Sequence, residues 1–135
     1  MRARARRFDK LLGLHATLEA LGEARRAGHL AAAHAARQEA EALVRGFDDP
    51  QSLSALFPAL YHARIGACLA QAEADEAAAI AQARKLAELR LRAGAIGRAR
   101  DAAHAAAERG DAERLALDWV EGRQAAASSE EHSPA

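Results

Sequence analysis

The sequence has little that could form a sheet, a disulfide framework or a large core. Only two valines, three isoleucines and one threonine occur among 135 residues, and no stretch alternates β-branched with polar side chains. A single cysteine, Cys68, excludes an internal disulfide and a zinc site built on cysteines. These scarcities exclude the all-β and disulfide-rich classes and predict an all-α protein.

Long apolar runs and a charge of one sign are also missing. No stretch approaches the roughly 20 apolar residues of a membrane-spanning helix, and the formal net charge is zero. We therefore expect a cytoplasmic protein, which is peripheral at the inner membrane if its partners are held there.

Alanine is what the sequence has in abundance, with 40 of the 135 residues. It is the strongest helix former and its side chain buries little area, so a compact core would be thin. Long helices suit this composition better, because alanine lets two helix backbones approach closely. The composition therefore favours long paired helices over a globular bundle.

The positions of glycine and proline divide this helical sequence. Gly46, Pro50 and Pro58 bound a connection, in which Gly46 is suited to a left-handed residue after a helix end and Pro58 to a helix start. We predict a long antiparallel two-helix coiled-coil hairpin with a kinked or broken C-terminal portion. Its domain is 1–124, with a helix at 4–45, a turn at 46–57, helices at 58–108 and 111–124, and a disordered tail at 125–135.

A leucine seam is predicted on the first helix. Leu11, Leu14, Leu18 and Leu21 step by three and four residues, as in a coiled coil, and the pattern resumes with a shifted phase at Ala36. On the second side, a stripe from Ile65 to Ile96 is expected to face this seam. The segment containing Trp119 has no assigned partner.

No arrangement of polar residues predicts catalysis, a cofactor or a metal. The six histidines include no pair four residues apart on one helix face, and His62 is six residues from Cys68, on another face. Carboxylates alternate with arginines as on a solvated helix face. We expect no enzyme activity, no catalytic residue, no cofactor, no metal and no small-molecule substrate.

Aromatic side chains supply the clearest functional signal, because three of the chain's five lie close to the predicted turn, beside Leu53, Leu56 and Leu60. They either seal the end of the hairpin or form an exposed apolar tip that binds another protein. The predicted partner-binding residues on this side are Leu43, Phe47, Phe57, Tyr61 and Ile65. A basic arm at the start of the chain provides a second candidate contact, formed by Arg4, Arg6, Arg7 and Phe8.

The opening Arg7-Phe8-Asp9-Lys10-Leu11-Leu12-Gly13-Leu14 resembles that of FliJ-like flagellar export proteins, as does the plan of two long helices. The late Glu113-Arg114-Leu115-Ala116-Leu117-Asp118 is similar to the closing stretch of that family. The resemblance implies a coiled-coil stalk of the type III export apparatus. Its partners would be the export ATPase ring at the basic arm, the export gate at the turn, and export chaperones.

Two other functions stay open at the level of sequence. One is a helical-repeat adaptor or protein interaction module, in which glycines near 28, 46, 94–97 and 110 separate short stacked helices. The other is a small nucleic-acid-associated protein that uses the basic start of the chain, Arg2–Lys10, although nucleic acid is the less favoured partner. Whether the chain is monomeric or self-associates cannot be read from the pattern.

Overall fold

The computed structural model describes residues 2–131, and these residues form helices without a strand. Helix α1 is Arg2–Gly46, a short 3-10 helix is Leu53–Ala55, and helix α2 is Pro58–Glu131. The all-α hairpin predicted from the sequence is confirmed. No helix in the described part of the chain combines the length and apolarity needed to cross a membrane.

The chain divides into two compact units, and each contains parts of both helices. The turn unit is His15–Arg92, and the terminal unit joins Met1–Leu14 to Ala93–Ala135. The core of each unit is a narrow seam of small side chains rather than a broad interior.

Buried residues in the turn unit recur every seven positions. Ala33 and Ala40 are buried on α1, as are Ala72, Ala79 and Leu86 on α2, and the buried Cys68 lies four residues before Ala72. This repeat of alternate three- and four-residue steps keeps one stripe of each helix facing the other. Apolar burial is small for each residue, so the helices depend on length and on close approach for their stability.

Ion pairs on the edges of this seam show the relative direction of the two helices. Glu23 pairs with Arg90 at 2.8 Å, and Arg37 pairs with Glu76 at 2.8 Å. Advancing two heptads on α1 therefore goes back two heptads on α2, which is the signature of antiparallel helices. On the other edge, Glu39 accepts a hydrogen bond from Arg64 at 2.9 Å.

The terminal unit likewise has buried alanines with ion pairs beside them. Ala5 and Ala107 are buried, Arg2 pairs with Asp111 at 2.6 Å, and Asp9 pairs with Arg100 and lies 3.8 Å from the imidazole of His104. From residue 112 to residue 130 every position of α2 is exposed. The paired part of the terminal unit thus ends at Asp111.

The predicted leucine seam on α1 is wrong. Leu11, Leu14, Leu18 and Leu21 are each between 38% and 55% exposed, and the buried side of α1 lies one residue away in phase. That side continues through His15, Gly22, His29, Ala33 and Ala40 without the phase shift that the leucines would need. An unbroken heptad repeat keeps one stripe of α1 against α2 without a stutter, even though polar residues then enter the seam.

The C-terminal portion also differs from the prediction. Helix α2 runs unbroken through the glycines at 94, 97 and 110, where a kink or break was expected. It also includes residues 125–131, which the sequence assigned to a disordered tail, and residues 132–135 of that tail lie outside the described residues. Three consecutive alanines, Ala125, Ala126 and Ala127, favour continued helix strongly enough to explain the difference.

Candidate functional site

An aromatic cluster closes the turn unit where the two helices are joined. The Phe47 ring stacks on His62 with centroids 4.8 Å apart and meets Tyr61 edge-on at 5.7 Å. Leu43, Tyr61 and Ile65 are half-buried beside it. These residues, of which all but His62 were predicted to bind partners, form a plug that holds the turn in place.

Two serines complete the end of α1 in place of a left-handed glycine. The Ser54 hydroxyl, which is buried, donates to the Gly46 carbonyl at 3.0 Å, and Ser52 donates to the same oxygen. No glycine of the described chain has a positive φ, so the left-handed Gly46 expected from the sequence is wrong. The serine hydroxyls satisfy a carbonyl at the helix end, which removes the need for that conformation. A Cβ at Gly46 would lie 3.2 Å from the Tyr61 ring, which favours glycine there for close packing.

Large apolar side chains project from this fixed turn into solvent. We call them the turn patch, and their exposed fractions are 57% for Leu53, 72% for Leu56, 52% for Phe57 and 66% for Leu60. Their backbone is held by hydrogen bonds from the amides of Leu56 and Phe57 to the Leu53 carbonyl, at 3.1 and 3.0 Å. The patch is therefore an ordered apolar surface on a rigid base, the usual mark of a binding site.

A shallow groove lies on the side of the turn unit near the plug. It encloses about 370 Å³, and its apolar lining includes Val44, Ile65 and Leu69. Val44 is 51% exposed and Leu69 is 41% exposed. Arg37, Glu41 and Arg45 supply polar rims. The groove extends the apolar surface available to a partner beyond the turn patch.

The basic arm has an open, charged surface. Arg4, Arg6 and Arg7 are exposed, Phe8 is half-buried, and the Arg4 guanidinium lies 5.8 Å from the centre of the Phe8 ring. Arg2, which was not among the predicted partner-binding residues, pairs with Asp111 and lowers the pKa of that carboxyl through its hydrogen bond. The arm is thus fixed to the terminal unit and presents its other arginines outward.

Three polar side chains of the turn unit, Cys68, Glu39 and Arg64, interact with one another. Cys68 is buried, and its thiol pKa is raised by burial and by the nearby Glu39 carboxyl. The hydrogen bond from Arg64 in turn lowers the pKa of Glu39. A thiol whose ionisation is disfavoured is a poor nucleophile. Within the described residues, no three histidine, cysteine, aspartate or glutamate side chains are grouped to hold a metal ion.

The aromatic residues lie near the turn, as the sequence predicts, but most of the turn patch was not among the predicted partner-binding residues. Of the predicted residues, Phe57 belongs to the patch, whereas Tyr61, Leu43 and Ile65 lie in or beside the plug. Leu53, Leu56 and Leu60 were noted beside the aromatic residues but were not among the predicted partner-binding residues. The signal was present at Leu60, which lies on a different side of α2 from the stripe of Tyr61, Ile65 and Cys68.

Comparison with known proteins adds no assignment. No family model matches the chain, no curated protein matches it, and no solved structure matches it.

Proposed function

We propose that this chain is a non-enzymatic helical-hairpin accessory protein that acts by binding other proteins, with the turn patch as its principal contact. The observation that carries the proposal is the exposure of Leu53, Leu56, Phe57 and Leu60 above an ordered plug. Apolar side chains on an ordered turn lose little conformational entropy when they enter a partner's groove.

Charge at the turn favours a protein partner over a lipid surface. Asp48 and Asp49 are exposed next to the patch, and Asp49 also accepts a hydrogen bond from the Gln51 amide at 2.9 Å. An acidic pair beside the apolar residues opposes approach to an anionic membrane. The complementary partner is an apolar groove with basic residues at its border.

The resemblance to FliJ-like proteins supplies the specific partners of the proposal. By that resemblance the turn patch and plug bind the export gate, the basic arm of Arg4, Arg6, Arg7 and Phe8 enters the export ATPase ring, and export chaperones bind as further partners. The all-α hairpin is the architecture that such a role requires. The protein would then act in the cytoplasm and at the inner membrane through its partners.

The test is co-purification of the full chain with a flagellar-type export ATPase and with the cytoplasmic domain of the export gate. Retention of both is expected, and the double variant Leu56→Ala, Phe57→Ala should lose the gate while keeping the ATPase. Leu91→Ala is the matched control, because Leu91 is 75% exposed on the same unit but far along α2 from the turn. Failure of the folded protein to retain either partner would remove the export assignment.

The two alternative functions fare differently. Stacked short helix pairs require breaks near residues 28, 94–97 and 110, and both helices run unbroken through those positions. The repeat form of the adaptor hypothesis therefore lacks its structural basis. Nucleic-acid binding by the basic arm is tested by a gel shift at increasing salt, and a salt-dependent shift lost in an Arg4→Ala, Arg7→Ala variant would favour it.

A further inference from the structure

The part of α2 beyond Asp111 has apolar residues but no neighbouring helix. Leu115 is 69% exposed and Trp119 is 62% exposed, in a segment where every residue from 112 to 130 is exposed. An indole with this exposure on an ordered helix is uncommon unless it binds something.

The apolar face of this segment is not a continuation of the seam that pairs with α1. The seam passes through Ala103, Ala107 and Gly110, and its next heptad positions are Arg114, Leu117, Glu121 and Gln124, of which three are polar. Another set of apolar residues occupies a different side, at Leu115, Trp119, Gly122 and Ala126, again with alternate steps of four and three, whereas Leu117 and Val120 lie outside it. A helix that continued the pairing of α1 along this segment would face Arg114 and Glu121, and it would leave the side with Leu115 and Trp119 uncovered.

The second face is confined to the overhanging segment. Its preceding positions on the same side of α2 include Asp101 and Glu108, which are charged and exposed. The apolar stripe thus begins where the pairing with α1 stops, which indicates a separate binding face.

We propose that this face pairs in parallel with the same face of a second copy of the chain, and forms a short two-stranded coiled coil over residues 112–126. With Leu115 and Gly122 at d positions and Trp119 and Ala126 at a positions, Asp118 is at g and Arg123 at e. In a parallel pair, each g residue faces the e residue five positions later in the partner. Asp118 then faces Arg123 of the partner subunit, and the two-fold symmetry makes this pair twice.

Charge selects the parallel arrangement. Antiparallel pairing would bring Asp118 against Asp118 of the partner subunit and Arg123 against Arg123 of the partner subunit, which is repulsive on both edges. In the symmetric parallel pair, each edge carries one ion pair between Asp118 of one copy and Arg123 of the partner subunit.

Space for the indole is also available on this face. A Cβ at Gly122 would have nothing within 4 Å, so the layer next to Trp119 is open. In the single chain, the Arg123 guanidinium lies 4.8 Å from the centre of the Trp119 ring and partly covers it. On association Arg123 turns to Asp118 of the partner subunit, and the two indoles fill the space beside the glycines.

The first test uses the single tryptophan of the full chain as a reporter. Sedimentation equilibrium and Trp119 emission are measured on the same samples up to about 1 mM. Dimer formation with a concentration-dependent blue shift is expected, and a monomer with unchanged emission at about 1 mM would overturn the proposal. Dimers without a change in Trp119 emission would also overturn it, because the contact would then lie elsewhere.

Point variants locate the contact. Trp119→Ala should abolish the dimer, whereas Leu117→Ala, with 60% exposure on another side of the same segment, should leave the dissociation constant within about twofold. Circular dichroism checks that both variants keep their helix content. Equal loss in both variants would overturn the assignment to this face.

Charge exchange and cross-linking test the direction. Asp118→Arg should raise the dissociation constant about fivefold or more, and adding Arg123→Asp in the same chain should restore it. In a Cys68→Ala background, Gly122→Cys should form a disulfide between copies on oxidation. No rescue together with no cross-link would overturn the parallel pairing. If Trp119→Ala left the chain's association unchanged and instead removed ATPase binding, the face would belong to that partner.

Discussion

The side chain of Leu86 lies directly against the backbone of Gly22. A Cβ built at Gly22 would be 2.6 Å from Leu86 Cδ2 and 3.1 Å from Gln82 Nε2, and Leu86 is only 1% exposed. This leucine is the largest fully buried side chain of the described protein, and it fits because α1 has no side chain at that point. Close approach therefore requires glycine here, although glycine weakens a helix.

Alanine substitutions at two glycines of α1 should have different effects. Gly28→Ala should stabilise the protein by up to about 1 kcal/mol, because a Cβ there meets nothing within 4 Å and alanine is the better helix former. Gly22→Ala should be destabilising by about 1–3 kcal/mol from overpacking, less the same helix gain. Thermal unfolding by circular dichroism measures both, and an equal rise in the two melting temperatures would contradict the packing of Leu86.

The buried hydroxyl of Ser54 should stabilise the turn. Ser54→Ala removes its hydrogen bond to the Gly46 carbonyl and leaves that oxygen with one serine donor, so a loss of about 1 kcal/mol is expected. Chemical denaturation provides the measurement, and Ser128→Ala, at an exposed position, is the control. Indistinguishable midpoints for the two variants would show that Ser54 does not support the turn.

Acid should weaken the turn unit through Glu39. The hydrogen bond from Arg64 lowers the pKa of Glu39, so the ionised carboxylate stabilises the folded state. This contribution is complete above the ordinary carboxyl pKa and is lost as the pH falls through the lowered value. Glu39→Gln should therefore reduce the melting temperature at pH 7 and make it depend less on pH between about 5 and 2. Glu41→Gln changes the same formal charge on the neighbouring part of α1, and an identical pH profile for both variants would refute the role of Glu39.

The Cys68 thiol should react slowly with an aromatic disulfide reagent. Burial raises its pKa, and the side chain is only 4% exposed, so attack requires separation of the helices. The rate at pH 8 should be at least about tenfold below that of the unfolded chain. Because Glu39 also raises the thiol pKa, Glu39→Gln should increase the rate. Equal rates in native buffer and in denaturant would contradict the burial of Cys68.

Turn chemistry explains why the hairpin was predictable from the sequence. Pro58 can only begin a helix, since it lacks an amide hydrogen and restricts the preceding residue, and α2 begins there. The alanine content likewise favours helix over any competing structure. The hairpin is thus determined by local propensities that a single sequence reveals.

The seam was not predictable in the same way. Leu14 and Leu18 were expected inside because leucine gains more from burial than alanine does. The structure instead buries Ala33 and Ala40, since their register continues along α1 without interruption. Which face is buried depends on the partner helix, and that information lies far away in the sequence. The turn patch was incompletely predicted for the same reason, because exposure of Leu56 and Leu60 follows from where the seam begins.

The alanine seam of the turn unit has a consequence for alignment of its helices. Alanines seven residues apart, such as Ala72 and Ala79, are nearly interchangeable, so the packing that opposes a slip of one heptad comes mainly from the contact of Leu86 with Gly22. The flanking pairs oppose it, because Glu23 and Arg37 would each lose the opposite charge that they now face on α2. At about 1 M salt these exposed pairs are screened to roughly 3 Å, and the alignment then depends on the contact of Leu86 with Gly22 and on the turn. Concentrated salt should accordingly leave the alignment of the native chain unchanged and disturb it only when Leu86 is replaced by alanine.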